Sequence, residues 1–86
     1  MTYHNAQYET PHFSKDADPE TLAVKANGGS LAIDVWITDG TWISPAAIGG
    51  VTLPITADTA VMLNVAGNKF RFTPSGGCEF NFGDDV

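Results

Sequence analysis

Eighty-six residues, a mass of 9.1 kDa and a formal charge of −6 describe one small acidic domain. Only Lys15, Lys25, Lys69 and Arg71 are positive, so the chain is a poor match for nucleic acid, whose binding rests on Lys and Arg neutralising phosphates. It is an equally poor match for an anionic membrane surface, and no apolar run approaches the ~20 residues of a spanning helix.

Residues 1–19 differ in character from the rest of the chain and read as an extended N-terminal arm ahead of a β-domain at 20–86. Tyr3, Tyr8 and Phe13 are spaced by five, which suits neither a helix face nor an alternating strand. Pro11 and Pro19 interrupt any ladder or helix interior. The plain reading is a flexible tail. The sharper reading is an arm that drapes over a neighbouring subunit, with the three aromatics as partner-binding anchors. Being polar, the arm is expected to add little to the core. Its start, MTYHNAQYETPHF, has neither the basic residues nor the apolar stretch of a signal peptide, so synthesis in a cytoplasm is expected. His4 and His12 both lie here, away from the rigid surroundings that a general base needs. Asp16, Asp18 and Glu20 alternate, but the stretch lacks the glycine and downstream glutamate of a calcium loop, and a solvated acidic turn is expected.

TLAVKA (21–26) alternates and reads as a strand, with Asn27-Gly28-Gly29 as its turn. SLAIDVWITDGTWIS (30–44) comes next and reads as the hairpin around which the chain is organised. Leu31, Ile33, Val35 and Ile37 alternate with Ala32, Asp34 and Trp36, the period of a half-buried strand. Asp39-Gly40 suits a tight two-residue turn. In that register Ile37 faces Trp42 and Trp36 faces Ile43. Trp36 and Trp42 then lie on opposite faces, one in the core and the other free for a partner, a protein being favoured over a sugar. Asp34 is expected to pair with Lys25.

Residues 45–50 read as a loop or a single helical turn, and 51–55 as a strand that Pro54 confines to an edge or bulge. Residues 60–66 and 69–73 suggest a second hairpin across Gly67-Asn68. Phe70 would stand opposite Val65 and Phe72 opposite Leu63, all four in the core, with Asn64 beside Arg71 on a solvated face. Residues 78–82 form the last strand, where Cys78 shares the side of Phe80 and Phe82 as a buried, inert thiol. It is the single cysteine, so no intrachain disulfide forms, and no Cys/His cluster suggests zinc. Small scaffolds then turn to oligomerisation. About seven strands with regular turn signals predict an all-β fold, a small antiparallel sandwich or jelly-roll-like barrel. No G-x-S-x-G, P-loop or H-E-x-x-H occurs, so the reading is non-enzymatic, with no catalytic residue, cofactor or metal.

The run GGVTLPITADTAVMLNVAGNKFRFTPSGG (49–77) resembles segments of small virion proteins of tailed bacteriophages, which carry the same T-A-D…L-x-V-x-G…F-R-F style of strand, turn and strand. WITDGTWIS (36–44) has a similar style. The resemblance spans about half the chain and lies in turn and strand patterns. It implies an accessory structural role in a virion: a capsid decoration or cement subunit, typically a homotrimer on the major capsid protein or another virion protein. No functional residue carries over. The alternative is a small carbohydrate-binding or adhesin-like β-module that uses an exposed Trp and neighbouring Asp and Asn side chains.

Overall fold

The computed structural model describes residues 3–37 and 39–83, and its regular structure is entirely β. The strands are β1 (Tyr8–Glu9), β2 (Glu20–Lys25), β3 (Ser30–Trp36), β4 (Trp42–Ile43), β5 (Ala47–Ile48), β6 (Val51–Thr52), β7 (Thr59–Leu63), β8 (Phe70–Ser75) and β9 (Glu79–Phe82). They form a four-stranded sheet in the order β1-β8-β3-β4, a three-stranded sheet in the order β7-β2-β9, and the small pair β5-β6. The first two sheets stack face to face, so the all-β expectation resolves to an antiparallel sandwich.

One long two-stranded ribbon makes the centre of it. β3 pairs with β8 from Ser30↔Ser75 to Val35↔Phe70, and β2 pairs with β9 from Lys25↔Glu79 to Leu22↔Phe82. The ribbon therefore bends once, between Lys25 and Ser30 on one strand and Ser75 and Glu79 on the other, and passes from one sheet to the other. The first strand takes five residue steps around the bend where the second takes four; one extra residue of this kind bends and twists a ladder. The backbones nearly touch there: a Cβ on Gly29 would lie 1.9 Å from the Ser75 carbonyl oxygen. Asn27 adopts a φ of 50° and its side-chain amide donates to the Gly77 carbonyl (3.1 Å) and to Glu79 (3.2 Å), fixing the bend.

Period two governs the core. Leu31, Ile33, Phe70 and Phe72 from one sheet meet Leu22, Val24, Val61, Leu63, Phe80 and Phe82 from the other, all buried. Phe72 is the hub, its ring 5.4 Å from that of Phe80 and 4.9 Å from that of Phe82 between centroids. Leu63, Val65, Phe70 and Phe72 are in the core as the sequence predicts, but the hairpin predicted to unite them does not form. β7 pairs with β2 and β8 with β3, so these side chains meet across the sandwich. Gly67-Asn68 turns an arch between sheets, and a turn signal is common to both arrangements. Asn64 consequently lies away from Arg71, exposed, its carbonyl accepting from the Asn68 side chain. Residues 47–52, expected as a loop or helical turn running into a strand, form the β5-β6 pair. Beyond it, Ile55 bonds both ways with Leu31 on the edge of β3, after the cis Leu53-Pro54 bond.

The N-terminal segment is extended and lies along the chain's own β-domain. His4 exchanges two main-chain hydrogen bonds with Phe80 at one sheet edge, and β1 then pairs with β8 at the edge of the other sheet. The segment so closes one side of the sandwich. Its expected small share in the core is corrected: Thr10 is buried, and Phe13 and Ala17 pack against the core cluster. Thr10 bonds to Phe70 twice, its N–H donating to the Phe70 carbonyl (2.9 Å) and its hydroxyl oxygen accepting from the Phe70 N–H (3.0 Å).

Candidate binding surfaces on the central hairpin

The hairpin of β3 and β4 sets both surfaces of interest. Ile37 N–H donates to the Thr41 carbonyl (2.7 Å) and Gly40 N–H to the Ile37 carbonyl (2.8 Å). The loop thus takes three residues, with Gly40 at a φ of 92°, the positive φ that a three-residue hairpin loop places on glycine. Asp39 adds its carboxylate as acceptor for the Thr41 N–H (3.0 Å). The predicted two-residue turn is corrected by one position: Trp36 pairs with Trp42 and Val35 with Ile43. A one-residue slip moves every side chain of a strand to the other face. Trp36 and Trp42 therefore stand side by side on the exterior of the four-stranded sheet, both half-buried and neither in the core.

Three registered rows cross that exterior. The first runs Trp42, Trp36, Lys69, since Trp36 bonds to the Lys69 carbonyl. The second runs through Ser44, Asp34, Arg71 and Glu9, and the third through Ala32, Thr73 and Gln7. Asp34 pairs with Arg71 and not with Lys25. Arg71 Nη2 and Nε lie 2.9 and 3.2 Å from Asp34 Oδ2, and the Ser44 hydroxyl donates to Oδ1. The Asp34 side chain is 14% exposed. Burial works against its ionisation, yet the Ser44 hydroxyl and the Arg71 guanidinium outweigh burial and hold its pKa below the usual carboxylate value. Lys25 instead lies over the Tyr3 ring, 4.4 Å from its centroid.

Cations crowd the tryptophans. The Arg71 guanidinium carbon is 4.4 Å from the centroid of Trp42, and Lys69 Nζ is 5.6 Å from Trp36 and 5.8 Å from Trp42. His12 and Trp36 pack in a T-shaped arrangement with centroids 5.8 Å apart. Neither lysine nor arginine stood out in the sequence; their place here depends on β8 lying beside β3, which only the long-range pairing reveals.

The opposite face of the same hairpin is aliphatic. Ile37 and Ile43 share the parity of Val35, which packs on the core, yet they are 37% and 51% exposed. The end of the hairpin reaches past the cover that the three-stranded sheet provides. The three aromatics of the N-terminal segment separate. Phe13 is committed to its own core, edge-on to Phe82. Tyr8 is exposed on edge strand β1, and Tyr3 is half-buried under Lys25.

Cys78 is buried, and burial together with the Glu79 and Asp58 charges pushes its thiol pKa up. Asp16 and Asp18 are exposed, and no group of three or more His, Cys, Asp or Glu able to hold a metal occurs among the described residues. Comparison with protein-family models, with curated proteins and with solved structures gives no match.

Proposed function

We propose that this chain is a non-enzymatic structural subunit that associates with copies of itself and seats on a larger protein lattice. The carrying observation is the aliphatic end of the central hairpin, Ile37 and Ile43, left bare by the fold's own second layer. A small domain without a disulfide gains stability from whatever covers such a surface in the folded state. Full burial of an aliphatic side chain contributes about 1.5–3 kcal/mol, so completing the cover of this pair contributes on the order of 2 kcal/mol per copy. A second copy of the chain is the occupant, because the surface is present on every copy at a fixed geometry.

The resemblance of residues 49–77 to small phage virion proteins refines the reading to a capsid decoration or cement subunit, a homotrimer on the major capsid protein. Tyr8 and Tyr3, at the surface of the N-terminal segment, are then the side chains offered to the lattice. Neither nucleic acid nor membrane is a partner in this reading.

Native mass by light scattering tests it. The wild-type chain is expected near three times 9.1 kDa, and Ile43→Glu or Ile37→Glu is expected to fall towards one copy while keeping the β circular dichroism. A wild type that stays monomeric at every concentration, or an oligomer indifferent to both substitutions, would overturn the proposal.

A further inference from the structure

The corner of the bent ribbon holds a chemically labile pair. We infer that Asn27 is a site of covalent modification by water, which converts its side-chain amide to a carboxylate and removes the contacts that fix the bend. Gly29 N–H donates to the Ala26 carbonyl (2.7 Å), so Asn27 and Gly28 are the two central residues of a tight turn. Their φ angles are 50° and 83°. A turn with positive φ at both central residues favours Asn-Gly. The fold's demand at this corner thus places there the one asparagine of the chain that is followed by glycine. Asn5, Asn64, Asn68 and Asn81 each precede a residue with a side chain, which crowds the main-chain nitrogen that would attack.

The reaction needs only water as co-reactant. The Gly28 main-chain nitrogen attacks the Asn27 side-chain carbonyl carbon, and the new N–C bond closes a five-membered succinimide. The C–N bond of the side-chain amide breaks, and its nitrogen leaves as ammonia with the proton that Gly28 gave up. Water then opens the ring at either carbonyl, giving aspartate or isoaspartate with no change of oxidation state. The attacking group is accessible: both residues are exposed, nothing stands within 4 Å of the Cβ position of Gly28, and the Gly28 N–H makes no hydrogen bond among the described residues. The restraint is on Asn27, whose amide nitrogen donates across the bend to the Gly77 carbonyl and the Glu79 carboxylate. The folded chain therefore reacts when those bonds open. The product cannot remake them. A carboxylate has no N–H to donate, and it faces an acceptor carbonyl and the like charge of Glu79. Isoaspartate also lengthens the main chain beside Gly29, where the Ser75 backbone leaves no room.

The experiment is peptide mass spectrometry on the full chain, held at mildly alkaline pH with and without urea and then digested in acid. In the folded chain Asn27 is expected to convert faster than the other four asparagines. In urea, where its two hydrogen bonds are gone, it is expected to convert at least fivefold faster again. Glu79→Ala removes one acceptor and is expected to raise the folded-state rate at Asn27 at least twofold, while Asn64, exposed and away from the corner, keeps its rate. Asn27→Asp makes one product directly and is expected to lower the urea midpoint. No conversion at Asn27, another asparagine converting first, equal rates with and without urea, indifference to Glu79→Ala, or an Asn27→Asp chain as stable as wild type would each overturn the inference. The rates on the wild-type chain keep it testable even if a variant fails to fold. None of these measurements reads the oligomeric state, so this inference and the assembly reading fail independently.

Discussion

Thr10 does at the level of one side chain what a strand residue usually does with its carbonyl. Its hydroxyl accepts the Phe70 N–H at a buried site, just where Pro11 ends the possibility of further donation from the edge segment. Thr10→Val keeps the volume and removes that acceptor, so a buried N–H loses its partner. The expected cost is about 1–3 kcal/mol, measurable as a lower urea midpoint with an unchanged slope. Asp34 carries the second prediction at this scale. Its folded-state pKa is depressed, with burial opposing and the Ser44 and Arg71 contacts prevailing. The stability it contributes is therefore fully present above the ordinary carboxylate pKa and is lost as pH falls through the lower, folded-state value. Asp34→Ala should cost roughly 1–3 kcal/mol at neutral pH. The gap between wild type and variant should close on acidification below about pH 4; a gap that stayed constant would place the effect in packing and not in charge. Neither role is visible in sequence. Asp34 has Lys25 as its nearest cation along the chain, and only the β3-β8 register brings Arg71 within reach.

At the scale of elements, the bent ribbon of β2-β3 and β8-β9 explains the demand for glycine at its corner. Gly29 cannot carry a side chain where the Ser75 carbonyl passes 1.9 Å from the Cβ position. Gly29→Ala forces two backbones apart, and a loss of about 3 kcal/mol or more is expected, at the top of the range for overpacking. Gly40→Ala, with nothing within 4 Å of its Cβ position, strains only its own φ. The smaller loss there, about 1 kcal/mol by the handedness penalty, is the comparison that isolates the corner; equal thermal midpoints for the two variants would refute this account of it. Elements were the level at which the sequence was most and least legible. Alternation located β2, β3, β8 and β9 and their buried residues, because the two-residue period depends only on which side is covered. It could not say what covers them. Leu63 and Val65 face Phe70 and Phe72 equally well as neighbours in a sheet or as opposite layers, and Gly67-Asn68 serves either. The Trp36–Trp42 relation turned on whether Gly40 closes a two- or a three-residue loop, a single-residue difference that decides whether the tryptophans part or meet. β1 was too short to show any period.

For the whole molecule, the sandwich accounts for nearly all the large apolar side chains and leaves a few outside it. Those on the central hairpin lie on both of its faces: indoles ringed by cations on one, and Ile37 with Ile43 on the other. For a small acidic chain with one cysteine, self-association is the remaining common support, and it is what we propose for the aliphatic pair. The two isoleucines proposed to carry it were only half legible. Alternation marked Ile37 as inward-facing, and it is, but no local pattern shows that the opposing sheet stops short of it. The assembly reading is tested most directly by amide hydrogen exchange at low and high protein concentration, followed peptide by peptide. The segment 36–44 is expected to gain protection as concentration rises while the ribbon corner at 26–29 does not change. Protection that never depends on concentration, or that rises elsewhere and leaves 36–44 untouched, would contradict the claim that this chain meets its copies through the end of its central hairpin.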